Sequence, residues 1–130
     1  MDFIYFTRKR DFMITFLCYP KCSTCKKAKA WLDAHHISYI ERNIVEDRPS
    51  KEEITVWVQK YHYPLKKYFN TSGNVYKSLH LKEALLKMNE EEQIELLSTN
   101  GMLVKRPLLI LENDILIGFQ EERWKDFLEK

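Results

Sequence analysis

Glycine and proline are scarce, at 3 and 4 of 130 residues. That argues against a disordered or low-complexity chain and against a turn-rich all-β protein. Long hydrophobic runs are missing too: nowhere do about 18 apolar residues stand together, so no membrane-spanning helix is encoded. Neither sign of charge dominates, with 21 Lys and Arg against 19 Asp and Glu and a net charge of +2. Such a balance gives no nucleic-acid footprint and implies no face of concentrated charge. Cysteine is sparse and odd in number, 3 in all, which speaks against a disulfide scaffold. The first twelve residues, MDFIYFTRKRDF, place apolar before basic residues, the reverse of a secretion signal. The expected compartment is therefore the cytoplasm, where closely spaced cysteines mean redox or metal chemistry rather than a structural staple.

What is present suits one compact domain with a real core: 45% hydrophobic and 13% aromatic residues. Met13 to Tyr19, MITFLCY, is a short apolar β-rich run closed by Pro20 and reads as a buried strand. From Cys22 the spacing turns helical, with Ala28, Trp31 and Leu32 on one face, and the helix fades near His35 and His36. Ile37 to Ile44 alternates as a second strand. Ser50 followed by Glu53 forms a capping-box signature for a helix that carries Ile54, Trp57 and Val58 inward and ends near Tyr61, before Pro64. Asn70, Thr71, Ser72 and Gly73 make the clearest internal loop. Helices are expected over Lys82 to Met88 and Glu90 to Ser98, with Gly101 as a left-handed C-terminal cap. PLLILENDILIG then predicts two strands joined at Glu112-Asn113-Asp114, and Glu121 to Glu129 a last helix presenting Trp124, Phe127 and Leu128 to the core.

The order is β-α-β, a helical insert over roughly residues 50–100, then β-β-α. This is an α/β thioredoxin- or glutaredoxin-like arrangement: two parallel strands, a hairpin adding an antiparallel pair to the same mixed sheet, and an inserted all-helical subdomain.

Cys22 and Cys25 lie in YPKCSTCKK, at the junction of the first strand and helix. A thiol reacts as thiolate, and the free N–H groups and positive dipole end of a helix start favour an anion there. Lys21, Lys26, Lys27 and Lys29 add positive potential. Cys25, one turn on, is placed to attack a mixed disulfide on Cys22, so Cys22 is the expected nucleophile and Cys25 the resolving thiol. A zinc site would need two further ligands, and His35, His36, His62 and His80 show no paired spacing with a cysteine. Two merely packing cysteines fit less well with a strand-P-x-C-x-x-C-helix context. Cys18, alone in an apolar strand, reads as a small buried hydrophobe.

A second constellation is KRPLLI, Lys105 to Ile110. In a thioredoxin-like sheet a proline opening the third strand is commonly cis and faces the active thiol, the place Pro107 fits. Arg106 before it suits a carboxylate or oxyanion beside Cys22. The Asn70–Gly73 loop reads as punctuation between helices, although its N–H groups and hydroxyls suit an anion. His35 and His36 read as a solvated helix end, and Trp31, Trp57 and Trp124 as core.

With YPKCSTCKKAKAWL, IERNI, NTSGNVYKSL and VKRPLLILENDILIGF in this order, the chain resembles the arsenate reductase/Spx-type family from Met13 to about Leu128, closest to its arsenate reductase-like branch. Residues 13–130 then form a single thioredoxin-like domain and 1–12 an N-terminal extension outside the match. The resemblance implies that Cys22 is the catalytic cysteine, Arg106 the oxyanion-binding arginine and Pro107 the cis-proline. Glutathione-dependent arsenate reductases of the family use two further arginines, whose matching positions are Asn70 and Phe119, and lack the second cysteine. Spx-type regulators share the C-x-x-C as a redox switch, but carry a basic residue where Ser72 stands. The leading expectation is a cytoplasmic thiol-disulfide oxidoreductase acting on a small or protein disulfide, with no bound cofactor or metal and with glutathione or thioredoxin as reductant. The alternative is a redox-sensing regulator that binds the RNA polymerase α subunit without touching nucleic acid, and the third an arsenate reductase proper.

Overall fold

The computed structural model describes residues 13–129, so the expected extension over 1–12 lies outside the described residues. Strand β1 (Thr15–Cys18) leads through a turn into α1 (Ser23–Ala34), which returns to β2 (Ile40–Asn43). After the insert come β3 (Leu108–Ile110), β4 (Ile115–Ile117) and the last helix. The strand order is β2-β1-β3-β4. β1 and β2 run parallel, while β3 lies antiparallel to both β1 and β4, which is the mixed sheet expected from the sequence.

Alternation along the strands divides the core in two. Phe16, Leu109 and Leu116 face one way and pack with Ala28, Trp31 and Leu32 of α1. Leu17, Leu108 and Ile115 face the other way and pack with Ile54, Trp57, Phe69 and Leu97 of the insert. The sheet is therefore sandwiched between α1 with the last helix on one face and the insert on the other. Trp124 is fully buried on the α1 side, in the last helix, which is numbered α6 below (Glu121–Leu128). Phe127, expected in the core beside it, is 39% exposed.

Helix α1 ends at a Schellman-type stop: His36 takes the left-handed conformation (φ 57°), its N–H bonds Asp33 O, and Ile37 N–H bonds Leu32 O. That stop uses the first residues expected of the second strand, so β2 begins at Ile40 rather than Ile37.

The insert opens with α2 (Lys51–Tyr61), whose capping box between Ser50 and Glu53 is formed as expected. A 3-10 turn over Leu65–Tyr68 and a short α3 (Asn74–Ser78) follow, neither of them expected. The single helix expected over 82–88 is α4 (Leu81–Ala84) continued by a 3-10 turn over Leu85–Lys87. α5 (Glu90–Thr99) carries a second capping box, Asn89 with Glu92. Gly101 is not the left-handed cap expected. It opens a 3-10 turn, and a Cβ there would meet the carbonyl oxygen of Ile44 at 1.9 Å. Glycine is required by close backbone approach, not by φ.

Candidate active site

β1 is an inner strand, so its C-terminal end opens at the middle of the sheet. The chain turns there, with Cys22 N–H bonding Tyr19 O at 2.9 Å, and Cys22 becomes the N-cap of α1 in extended conformation. A cysteine in that position turns its sulfur toward N–H groups that have no partner within the helix. Partial burial of Cys22 disfavours its thiolate. It is outweighed by the Cys25 N–H, the Cys25 thiol, the Thr24 N–H and the Arg106 guanidinium, which together hold the Cys22 pKa below the ordinary thiol value. The lysines expected to tune the thiolate are not among the main contributors, and Lys29 is committed to Glu41 at 2.8 Å.

Cys25 lies one turn along, buried at 2% exposure, with its sulfur accepting Tyr19 N–H at 3.3 Å. Burial pushes its pKa up, and the neighbouring Cys22 pushes in the same direction. Two cysteines three positions apart thus have pKa values displaced in opposite directions, and both are free thiols here. Cys18 is buried as expected; its thiol donates to Glu41 Oε2 at 3.6 Å, and burial with the Glu41 charge pushes it up to about 12.

The Arg106–Pro107 peptide is cis. Pro107 is buried before β3, and its carbonyl accepts Gly118 N–H at 2.8 Å. Arg106 lies over the Tyr19 ring at 5.4 Å, beside Cys22. Its Nε and Nη1 are buried and have no hydrogen-bond partner among the described residues. A guanidinium held so is short of acceptors, and an anion near Cys22 would supply them. Cys22 and Arg106 line one cavity of about 370 Å³ together with Thr24, Asn70, Ser72, Gly73 and Lys105. Pro107 is not part of its lining.

The sequence placed the Asn70–Gly73 loop as helix punctuation; the structure makes it the wall of this cavity. Asn70 is 8% exposed, accepts from the Ser72 hydroxyl at 3.4 Å, and its carbonyl takes Gly73 N–H at 3.0 Å. A Cβ on Gly73 would fall 2.6 Å from Asn70 Nδ2, so that glycine keeps room for the amide. Thr24, Lys105 and the burial of Asn70 were missed. Lys105 could have been found from its position beside Arg106; nothing in the sequence marks Asn70 as buried. Phe119, the other position paired with a family arginine, is not part of the cavity lining. It stacks edge-on against Trp31 and Trp124, with centroids at 6.3 and 4.8 Å. Among the described residues no group of three or more His, Cys, Asp or Glu is placed to hold a metal, and no helix is long and apolar enough to cross a membrane.

The geometry has close counterparts. The family model described as ArsC family matches residues 17–127. The chain is 48% identical over 113 residues to the protein YusI of Bacillus subtilis (strain 168), covering 87% of this chain and 96% of that one. It is 31% identical over 118 residues to the global transcriptional regulator Spx 2 of Lactococcus lactis subsp. lactis (strain IL1403), covering 91% and 88%. The crystal structure of an ArsC family related protein from Bacteroides fragilis superposes with a TM-score of 0.84 at 52% identity, covering 88% of this chain and 97% of that one.

Proposed function

This chain belongs to the ArsC family, and we propose that it works within the cytoplasm as a thiol-disulfide oxidoreductase. The observation that carries the reading is the split between its paired thiols: Cys22 favoured as thiolate in an open cavity, Cys25 buried behind it as thiol. The Cys22 thiolate attacks one sulfur of a substrate disulfide. The new Sγ–S bond forms as the substrate S–S bond breaks, and the electron pair leaves on the departing thiolate. Cys25 then gives its proton to the departed substrate thiolate and attacks Cys22 Sγ, releasing the second substrate thiolate and leaving a Cys22–Cys25 disulfide. The substrate gains two electrons and the pair loses two. A thiol reductant, glutathione or a thioredoxin-type dithiol, returns them. Arg106 holds the substrate's negative charge near the reacting sulfur, and Pro107 fixes the backbone that presents it.

The test is Cys25→Ser. It should accumulate a stable mixed disulfide on Cys22, while the parent chain releases its substrate. Cys22 should also alkylate faster than Cys25 near neutral pH. Equal, slow alkylation of both thiols would sink this reading.

The 31% identity to a protein called Spx 2 supports a second reading, a redox-switched regulator bound to the RNA polymerase α subunit. Ser72 weighs against it, since the resemblance gives those regulators a basic residue there. Absence of binding to purified α subunit in both redox states would remove it. Arsenate reduction comes third: the cavity holds Asn70 where the resemblance asks for a guanidinium, and Phe119 is not in its lining. Little arsenate turnover is expected with either reductant.

A further inference from the structure

A second cavity, about 570 Å³, lies behind the wall of the first. The partition is the segment 69–72, whose start is joined to 103–105: Phe69 bridges Val104 antiparallel, Asn70 N–H bonds Leu103 O at 2.7 Å, and Lys105 N–H bonds Tyr68 O at 2.8 Å. Side chains alternate across it. Asn70 and Ser72 face the thiol cavity, Phe69 and Thr71 face the second one, and Lys105 lines both.

This second groove has one sign of charge. Lys66, Lys67, Lys105 and Arg123 line it, and no acidic residue does. The three lysines have no acidic partner within 4.0 Å among the described residues. Arg123 donates to Tyr63 Oη at 2.6 Å, and that hydroxyl in turn donates to Asp114. A net charge of +2 gave no hint of this concentration.

The groove also runs along a sheet edge, since β4 ends the strand order among the described residues. Gly118 N–H bonds Pro107 O and Asp114 O accepts Leu111 N–H, so alternate residues of β4 turn their main-chain groups toward β3. Ile115 and Ile117 therefore turn theirs outward, and both line the groove. Ile115 N–H is taken by Asp114 Oδ1 at 2.8 Å; the outward groups of Ile117 and the Ile115 carbonyl have no partner among the described residues. Lysines on an edge strand usually block pairing. Here β4 itself is Ile-Leu-Ile, and the cations stand on the facing walls. An edge that can pair, walled by cations, fits an extended acidic chain added as a fifth strand.

We infer that the client of the Cys22 site is a protein whose disulfide is flanked by an acidic extended segment, which docks along β4 between Lys66, Lys67, Lys105 and Arg123. The inference rests on the redox reading above and names its substrate class. Lys105, common to both cavities, marks where the docked segment passes toward the thiol.

The test uses the full chain and two synthetic peptides of about ten residues, each with a central cysteine held as a mixed disulfide with thionitrobenzoate. One carries Asp and Glu flanks, the other the matching Asn and Gln. Attack by Cys22 forms Sγ–S to the peptide and releases thionitrobenzoate with the electron pair, which is read by absorbance. At low salt the acidic peptide should react about 10-fold faster, the lower end of electrostatic rate enhancement. The double variant Lys66→Glu, Lys67→Glu should lose that preference. Its rates with the neutral peptide and with iodoacetamide should match the parent's, which also shows that it is folded. N-methylation of alternate peptide nitrogens should abolish the preference as well. Equal rates for the two parent reactions overturn the inference alone, as does a preference that survives the double variant or the N-methylation. Suppression of the acidic-peptide rate by a single-stranded RNA oligomer, below the peptide's own half-saturating concentration, assigns the groove to nucleic acid and overturns it too. Reaction with neither peptide removes the redox reading and the inference with it.

Discussion

Replacing Gly101 by alanine tests whether the insert is seated on the sheet by backbone contact. The new Cβ would sit 1.9 Å from Ile44 O, 2.7 Å from Ile44 C and 3.1 Å from Val45 Cα. All three are backbone atoms, so no side chain can rotate away. Restoring ordinary contact requires a shift of more than about 1 Å between the end of β2 and the turn at 101–103, both of them packed. Ile44 and Leu103 are at most 1% exposed. Overpacking of a filled core typically costs 1–3 kcal/mol, and a backbone clash lies at the upper end, so about 3 kcal/mol is expected. Urea unfolding followed by Trp31, Trp57 and Trp124 fluorescence measures it. The same turn leads within five residues to Arg106, so a displaced turn should also loosen the guanidinium from Cys22 and slow alkylation of that thiol. A loss under about 1 kcal/mol with unchanged alkylation would refute the claim that this contact fixes the insert.

The Arg42–Glu53 pair is bidentate, at 2.7 and 2.8 Å, and with the Ser50 cap it holds the Glu53 pKa at about 2 against an ordinary 4.5, Arg42 being the main cause. A depressed carboxyl stabilises the fold fully above its ordinary pKa and loses that contribution as pH falls through the folded value. Glu53 is 39% exposed, so the effect is discounted to about 1 kcal/mol; Glu53→Gln should flatten the acid side of the stability–pH curve, and an unchanged slope would count against the pairing. Trp124→Ala removes a fully buried indole whose Nε1–H bonds Gly118 O at 3.1 Å, and should cost about 3–5 kcal/mol in a urea melt. Arg106→Met should move the Cys22 alkylation profile to higher pH, because a group that favours the thiolate is lost; an unmoved profile would exclude Arg106 from the site. Asn89→Ala removes one side of the α5 capping box and should destabilise by about 1 kcal/mol.

β1, β3 and β4 were legible because they are short apolar runs buried on both faces of the sheet, and the places of Cys22 at a helix start and Pro107 before β3 follow from the order of elements. The insert was less so. α3 and the two 3-10 turns have four or five residues each at most, too short for an apolar period to declare itself. His36, His62 and His80 take positive φ, where glycine would have been the readable signal. Gly101 misled in the opposite sense. A glycine after a helix suggests a left-handed cap, and only the approach of Ile44 from 57 positions earlier shows why it is there. Charge was hidden by averaging: Lys66, Lys67, Lys105 and Arg123 are scattered in sequence and meet only in the fold.

That convergence bears on what the insert is for. A thioredoxin-like sheet alone brings Cys22 beside the β3 entry, since β1 and β3 are neighbours. It supplies the thiol, Arg106 and the cis-proline, but nothing to enclose a substrate. The insert adds the second wall. Its chain returns to the sheet as the 69–72 segment, pairs with 103–105 just before Arg106, and is held down where Gly101 meets Ile44. Each of those contacts involves the backbone that presents Arg106. The insert therefore shapes the thiol cavity with Asn70 and Ser72 on one side of a single short segment, and a cationic groove with Phe69 and Thr71 on the other. Side-chain alternation along four residues is enough to give one segment both faces. A change that shifts this segment should alter thiol reactivity and partner preference together, whereas a change confined to Lys66 and Lys67 should alter preference alone.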